Sequence, residues 1–188
     1  MMRMVFLLTA WLLAPVAQAA TFNQFLPAES RLTFDYQQMG VNLDGKFNRF
    51  QAQLNFDPAR LAVAQARIDV DLASIDTGSE EGNDAVVGKP WFNVKDFPAA
   101  SFVSTGVKPL GNGRYEVSGK LSIKGRSVPV TASATFQSSG NRGVFDGSFT
   151  IKRLDYAIGE GEWADLGTVA NGIQVHFHFV VTAAPSKK

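Results

Sequence analysis

Residues Arg114–Phe136 read RYEVSGKLSIKGRSVPVTASATF, and the order of apolar and polar residues in this stretch decides the fold class. Apolar residues occupy nearly every second position on both sides of Lys124-Gly125, with polar residues between them. A period of two is typical of a β-strand with one buried face. Two such runs joined by a short turn containing glycine predict an antiparallel hairpin.

The same alternation recurs along most of the chain. Eight segments show it, namely residues 30–37, 45–57, 64–76, 100–109, 114–125, 127–136, 144–153 and 171–181. Short turns separate most of them, which predicts antiparallel neighbours. Phe47 is out of phase with Phe50, which predicts a bulge at Asn48-Arg49, and Pro129 predicts a bulge or a gap in the ladder. We therefore predict one all-β domain of eight antiparallel strands, closed as a barrel or stacked as a sandwich.

Residues 77–99 interrupt the alternation and are too long and irregular for a hairpin. Ser79 or Asn83 can cap a short helix that ends near Gly88. Three large apolar residues then follow outside any strand: Trp91, Phe92 and Phe97. Long loops in compact domains are usually functional, so we predict that this loop folds over one end of the barrel.

Residues 1–19 have the composition of a secretory signal peptide. Arg3 precedes an apolar run, and Ala17-Gln18-Ala19 is a small-x-small cleavage site. We predict cleavage after Ala19, export to the periplasm and a mature domain over residues 20–188. The chain has 18 Lys and Arg against 17 Asp and Glu, a balance that does not favour a nucleic-acid partner. It has no cysteine, which excludes thiol chemistry.

Two polar clusters are candidates for chemistry, and neither has the required pattern. Glu160, Glu162 and Asp165 share a loop flanked by glycines, where we expect solvated, ionised carboxylates rather than one acid with a raised pKa. His176 and His178 share one strand face, but no further histidine or cysteine can complete a metal site, although carboxylates could. We predict no catalytic residue, no bound metal and no enzymatic activity.

The alternation alone does not say whether the apolar face points into a barrel or toward lipid. An outer-membrane barrel also follows a signal peptide and has the same period. Charged residues along nearly every polar face, together with a chain end of PSKK, favour an apolar interior. The chain has 15 phenylalanines, which can fill a core or line a cavity.

Several short segments spread over the chain carry a family resemblance. The first half contains SRLTF, GKFNRF, LNFD and ASIDTG. The middle contains DAVVGKPWFN followed by DFPAASFVST, and the second half contains LSIKGRSVPV and TIKRLDYAIGEGEW. Together these segments resemble the YceI-like family, and the resemblance extends from about Ser30 to Val181.

The resemblance implies an extended, lipocalin-like antiparallel barrel of eight strands around an apolar tunnel. It also implies a carrier that binds a long isoprenoid chain, a quinone or a similar lipid, with no other cofactor. Relatives that accompany membrane b-type cytochromes imply such a cytochrome as a partner. Many members carry a histidine after the first strand, where this chain has Gln37-Gln38-Met39, so a headgroup contact there is not carried over.

The apolar strand faces and the aromatic loop residues are the predicted ligand contacts. They are Phe34, Tyr36, Phe47, Phe56, Val70, Leu72, Trp91, Phe92, Phe97, Phe102, Leu121, Phe149, Ile158, Trp163 and Phe177. We predict that the segment with Trp91, Phe92 and Phe97 and the loop with Trp163 gate the entrance.

The sequence also leaves two other functions open. One is an enzyme that acts on a lipid or quinone inside the barrel, and the other is a partner of a cytochrome with a solidly packed interior.

Overall fold

The computed structural model describes residues 20–183, so the predicted signal peptide lies outside the described residues. Within that range the chain forms eleven antiparallel strands in one sheet and one α-helix. The strands are β1 (Phe22–Phe25), β2 (Arg31–Gln38), β3 (Val41–Phe47), β4 (Phe50–Asn55), β5 (Gln65–Asp71), β6 (Ile75–Asp76), β7 (Ala99–Gly111), β8 (Arg114–Ile123), β9 (Arg126–Ser139), β10 (Arg142–Lys152) and β11 (Gly172–Ala183), and the helix is α1 (Glu80–Val86). No helix in this part of the chain is long and apolar enough to cross a bilayer.

The sheet curls around a central space. Its strand order is β4-β5-β7-β8-β9-β10-β11-β2-β3-β6, and β1 pairs with the part of β11 that extends beyond its pairing with β2. Phe22 of β1 also exchanges two backbone hydrogen bonds with Phe56, just after β4, at 2.8 and 3.1 Å. The strand β1 therefore links β11 to the end of β4 and completes this end of the barrel.

The predicted all-β barrel with one helix is confirmed, but the predicted number of strands is wrong. The second predicted segment breaks at Asn48-Arg49 into two strands, because β3 pairs with β2 and β6 whereas β4 pairs with β5. A strand break therefore replaces the predicted bulge. The third predicted segment likewise divides into β5 and β6, separated by a 3-10 turn over Leu72–Ser74. The strand β1 was missed because it is four residues long, too short to show an alternation.

Tight turns join the long strands. Asn112-Gly113 and Lys124-Gly125 all have positive φ, as a two-residue type I′ hairpin turn requires. Pro129 pairs with Lys120 of β8, whereas the pairing between β9 and β10 involves only the part of β9 from Ser133 onward. The predicted gap at this proline is confirmed, and it lies where the missing N–H interrupts no β9–β10 hydrogen bond.

Helix α1 begins after Ser79, the first of its two predicted caps. The Ser79 hydroxyl accepts a hydrogen bond from the N–H of Gly82 at 3.1 Å. The amide oxygen of Asn83, the alternative cap, instead accepts from the N–H and the hydroxyl of Thr77 at 2.7 and 2.9 Å. These bonds anchor the helix to the segment that follows β6.

Aromatic side chains close the end of the barrel that carries the β7–β8 turn. The ring of Phe136 lies 5.0 Å from that of Phe22, 4.8 Å from that of Phe56 and 4.6 Å from that of Phe145. Tyr115 packs edge-on against Phe56 at 5.4 Å. Edge-to-face and tilted arrangements of this kind are the favoured geometry for aromatic pairs. We call these five residues the aromatic plug.

Candidate functional site

A cavity of about 790 Å³ occupies the barrel interior next to the aromatic plug. Every strand from β2 to β11 contributes at least one side chain to its wall, and most of these side chains are Phe, Val, Ile, Leu or Ala. Ligand sites in proteins usually measure about 300–1,000 Å³, so this volume is typical of a binding cavity. The apolar faces of the strands therefore point inward and leave the interior partly open.

The predicted contact residues fall on this cavity with one exception. The lining includes Phe34, Tyr36, Phe47, Phe56, Val70, Leu72, Trp91, Phe92, Phe102, Leu121, Phe149, Ile158, Trp163 and Phe177. Phe97 is absent from this lining, because its ring packs against Gly125 in the β8–β9 turn. Phe97 thus supports the fold of the long loop from outside the cavity.

Three phenylalanine rings of the wall lie over glycines on neighbouring strands. The pairs are Phe34 with Gly45, Phe177 with Gly147, and Phe102 with Gly119. A methyl group on any of these glycines would be far too close to the ring it faces. The absence of a side chain lets each ring rest against the sheet instead of projecting into the cavity. The glycines therefore help to keep the interior open.

Polar side chains of the lining are concentrated at the end opposite the plug, which we call the mouth. The mouth is formed by Tyr36 and Gln38 of β2, Asp44 of β3, and Thr77, Ser79 and Glu81 around the start of α1. The Tyr36 hydroxyl donates to the backbone oxygen of Thr77 at 3.4 Å. Burial, helped by the charge of Asp44, raises the pKa of Tyr36, so this hydroxyl remains a donor at neutral pH. A ligand with one polar end would meet these groups at the mouth.

Arg153 organises the loop that covers this half of the barrel. Its side chain is fully buried, and burial lowers its pKa. The guanidinium donates to six backbone oxygens at 2.7 to 3.5 Å, those of Ile158, Gly159, Trp163, Asp165, Val169 and Ala170. Five N–H groups in a rigid fork suit arginine to bind many carbonyl oxygens at once. Its charge also lies 5.8 Å from the centre of the Trp91 ring.

The two predicted gate segments contact each other. The rings of Trp91 and Trp163 are 5.5 Å apart, and the N–H groups of Gly159 and Glu160 both donate to the oxygen of Pro90. Lys124, whose side chain is 8% exposed, donates to the oxygens of Lys89 and Ala157 and to the Glu160 carboxylate. These bonds join both segments to the β8–β9 turn.

The acidic loop does not have the electrostatics of a catalytic carboxylate pair. The hydrogen bond from Lys124 lowers the pKa of Glu160, and the hydrogen bonds from Thr168 lower the pKa of Asp165. A carboxyl group that donates a proton near neutral pH needs a raised pKa instead. The loop therefore contributes Trp163 to the cavity, while these two acids stabilise the loop itself.

The two histidines lie on the outer face of β11 and pair with aspartates on either side. His176 Nε2 is 2.9 Å from Asp35 Oδ2 on β2, and His178 Nδ1 is 2.6 Å from Asp146 Oδ1 on β10. Each ring is thus oriented by a different carboxylate. Within residues 20–183, no group of three or more potential metal ligands is present.

Sequence reasoning missed Arg153 and the wall glycines. Arg153 lies directly after β10 and continues the inward phase of Phe149 and Ile151. The available signal was therefore a charged residue at the next position of an apolar row. The glycines gave no comparable signal, because their role depends on which ring lies across from them in the neighbouring strand.

Residues 24–181 match the family model described as a YceI-like domain. The chain belongs to the YceI-like family. A UPF0312 protein of Vibrio cholerae is 27% identical over 157 residues, which cover 78% of this chain and 83% of the relative.

Two solved structures have the same fold as this YceI-like chain. BcnA of Burkholderia cenocepacia superposes with a TM-score of 0.82 at 42% identity, over 85% of this chain and 100% of that protein. A polyisoprenoid binding domain of Saccharophagus degradans superposes with a TM-score of 0.67 at 20% identity, over 89% of this chain and 100% of that domain. The YceI-like chain thus shares its fold with both proteins.

Proposed function

We propose that this protein is a periplasmic carrier that binds a long isoprenoid chain, such as a polyisoprenoid or a quinone, inside the barrel. The observation that carries the proposal is the 790 Å³ apolar cavity closed at one end by the aromatic plug and polar at its mouth. The Saccharophagus degradans domain of the same fold, described as polyisoprenoid-binding, supports this class of ligand.

Hydrophobic burial alone accounts for retention of such a ligand. Removing about 500 Å² of hydrocarbon from water contributes about 12 kcal/mol before association costs are subtracted. Ordering the chain and the loops offsets much of this gain. The remaining free energy of binding is consistent with a tightly held ligand. Binding of this kind requires no catalytic group.

The distribution of polar groups orients the ligand in the proposed complex. Phe56, Phe145 and Tyr115 belong to both the plug and the cavity wall, so this end is largely apolar. The hydroxyl of Tyr36 and the amide of Gln38 are at the mouth. The hydrocarbon tail would therefore point toward the plug, and the polar head would lie beside these two side chains.

The cavity weighs against the alternative of a cytochrome partner with a solidly packed interior. A b-type cytochrome remains part of the proposal only as an electron-transfer partner that exchanges quinone with the carrier. The alternative of an enzyme acting on the lipid is less favoured, because Glu160 and Asp165, whose hydrogen bonds lower their pKa values, do not line the cavity.

Solvent extraction of the protein purified from its native periplasm, followed by mass spectrometry, tests the proposal. About one isoprenoid or quinone molecule per chain is expected. A correctly folded protein that yields no lipid at all would contradict the carrier function. The control is the same protein produced without its signal peptide and purified from the cytoplasm. It reveals lipids that bind nonspecifically during lysis.

Substitution of Trp91 by alanine is expected to speed ligand loss. The change removes the ring that packs against Trp163 between the two gate segments, which opens a path between them. The indole N–H of Trp91 is buried and has no acceptor among residues 20–183, so Trp91→Phe should behave much more like the original protein. The measurement is the exchange rate of the bound ligand against excess labelled lipid.

The matched control for Trp91→Ala is Phe97→Ala. Phe97 belongs to the same loop but lies outside the cavity lining. An exchange rate that rises equally in both variants would indicate general loosening of the loop and would refute a gating role for Trp91.

A further inference from the structure

Exposed apolar side chains are concentrated at one edge of the cavity mouth. Among the described residues, seven large apolar side chains are exposed, and four of them lie on the β2–β3 hairpin or on the loop beside it. They are Met39 at 75%, Val41 at 58%, Leu43 at 37% and Leu166 at 52% exposed. We call these four residues the apolar rim. Single exposed apolar residues are ordinary, whereas a cluster marks an interaction surface.

Backbone hydrogen bonds hold the apolar rim together. The N–H of Met39 donates to the oxygen of Thr168 at 2.9 Å, and Gln38 forms a β-bridge with Val169. The loop that carries Leu166 is therefore fixed beside the tip of the hairpin. Arg153 holds the same loop through the oxygens of Asp165 and Val169, so the rim is a built surface and not a loose end.

The rim is continuous with the cavity. Leu43 belongs to both, because it lines the cavity and is also exposed to solvent. Its neighbours Asp44 and Gln38 are mouth residues. A hydrocarbon chain that left a surface in contact with the rim would enter the cavity without crossing a layer of water.

The charges around the rim restrict the kind of surface it can contact. Residues 37–43 and 166–169 contain no charged side chain, and the nearest flanking charges are the carboxylates of Asp44 and Asp165. Anionic head groups would be repelled by these carboxylates, whereas the positively charged ammonium groups of zwitterionic lipids would be attracted. Apolar side chains at such an edge can insert into the boundary between head groups and acyl chains.

We propose that the apolar rim docks the protein on a zwitterionic phospholipid bilayer, so that the ligand passes between the membrane and the cavity at the mouth. This inference rests on the proposed carrier function, because it explains how an insoluble ligand reaches the barrel. The membrane contact is shallow and reversible, as expected for a few side chains on a hairpin tip.

Vesicle flotation tests the docking surface. The purified protein is mixed with vesicles of phosphatidylethanolamine and phosphatidylcholine, and the fraction that floats with lipid is measured. The variant M39S/V41S is expected to reduce this partitioning by about tenfold or more, because it removes the most exposed apolar groups of the rim. The matched control is V103S/L110S, which removes two exposed apolar side chains of β7 away from the rim, Val103 at 41% and Leu110 at 45%. It should float like the original protein.

Each result decides between docking and its alternatives. Equal loss in both double variants, or no flotation of the original protein, would overturn the proposal, and so would binding that requires added phosphatidylglycerol. Lipid extraction of M39S/V41S separates this question from the carrier function. Retained ligand with lost flotation supports docking as a distinct role of the rim, whereas a folded original protein that floats but never contains lipid would refute the carrier function alone.

Discussion

Replacement of Arg153 by methionine is expected to lower the free energy of unfolding by about 3–5 kcal/mol, because several buried acceptors lose their donor together. Methionine has a similar length and can fill the space, but it has no N–H group for the six backbone oxygens that Arg153 binds. The loop would have to open to water to satisfy those oxygens, and Trp163 would leave the cavity wall. Urea unfolding measures the change in stability, and tryptophan fluorescence reports the exposure of Trp163 together with that of Trp91, which packs against it.

Arg153→Lys separates charge from geometry at this position. Lysine keeps the positive charge but offers three donors from one point, so it can reach only part of the set of oxygens. We expect its stability to lie between those of the original protein and Arg153→Met. The exposed Arg142, which pairs with Glu29 on the surface, supplies the control, and Arg142→Met should leave stability unchanged within error. Equal stability of Arg153→Met and Arg142→Met would refute the structural role of the buried guanidinium.

Substitution of Gly147 by alanine is expected to cost about 1–3 kcal/mol of stability and to reduce the amount of bound ligand several-fold, because the new methyl group overpacks the wall. The methyl would clash with the ring of Phe177 and with the backbone oxygen of Ser133. The ring can escape only by turning toward the cavity, which narrows the space for the ligand. Lipid recovered per chain, measured on folded protein, checks the loss of capacity.

Gly106→Ala is the matched control for the wall glycine. Gly106 lies on β7, and a methyl group there would meet no atom within 4 Å. The substitution Gly106→Ala should therefore leave the amount of bound ligand unchanged. If Gly147→Ala holds as much ligand as Gly106→Ala, then Phe177 does not limit the cavity and the proposed role of the glycine is wrong.

Much of the architecture could be read from alternation and turn chemistry. Tyr115, Val117, Leu121 and Ile123 all face inward, as their period of two predicts. Lys124-Gly125 forms the predicted turn, and Ser79 is one of the two predicted caps of the helix. These features depend on residues close together in the sequence, so local rules suffice for them.

Features that depend on strand register were not predictable in the same way. Phe34 lies beside Gly45 and Phe177 beside Gly147 because of the alignment of two strands, and a shift by one residue would separate each pair. The strand β1 is another example, since its short sequence shows no pattern until β11 and Phe56 give it hydrogen-bond partners.

The sequence by itself determined that this protein is all-β with one apolar face on each strand and a capped helix in a long aromatic loop, and its family resemblance implied a barrel. Only the tertiary structure decided that the interior holds a cavity, that Arg153 builds the loop over it and that the apolar rim borders its mouth. The physical reason is that alternation depends on each strand's own residues. Open volume and surface continuity depend on how side chains from distant strands meet when the sheet curls.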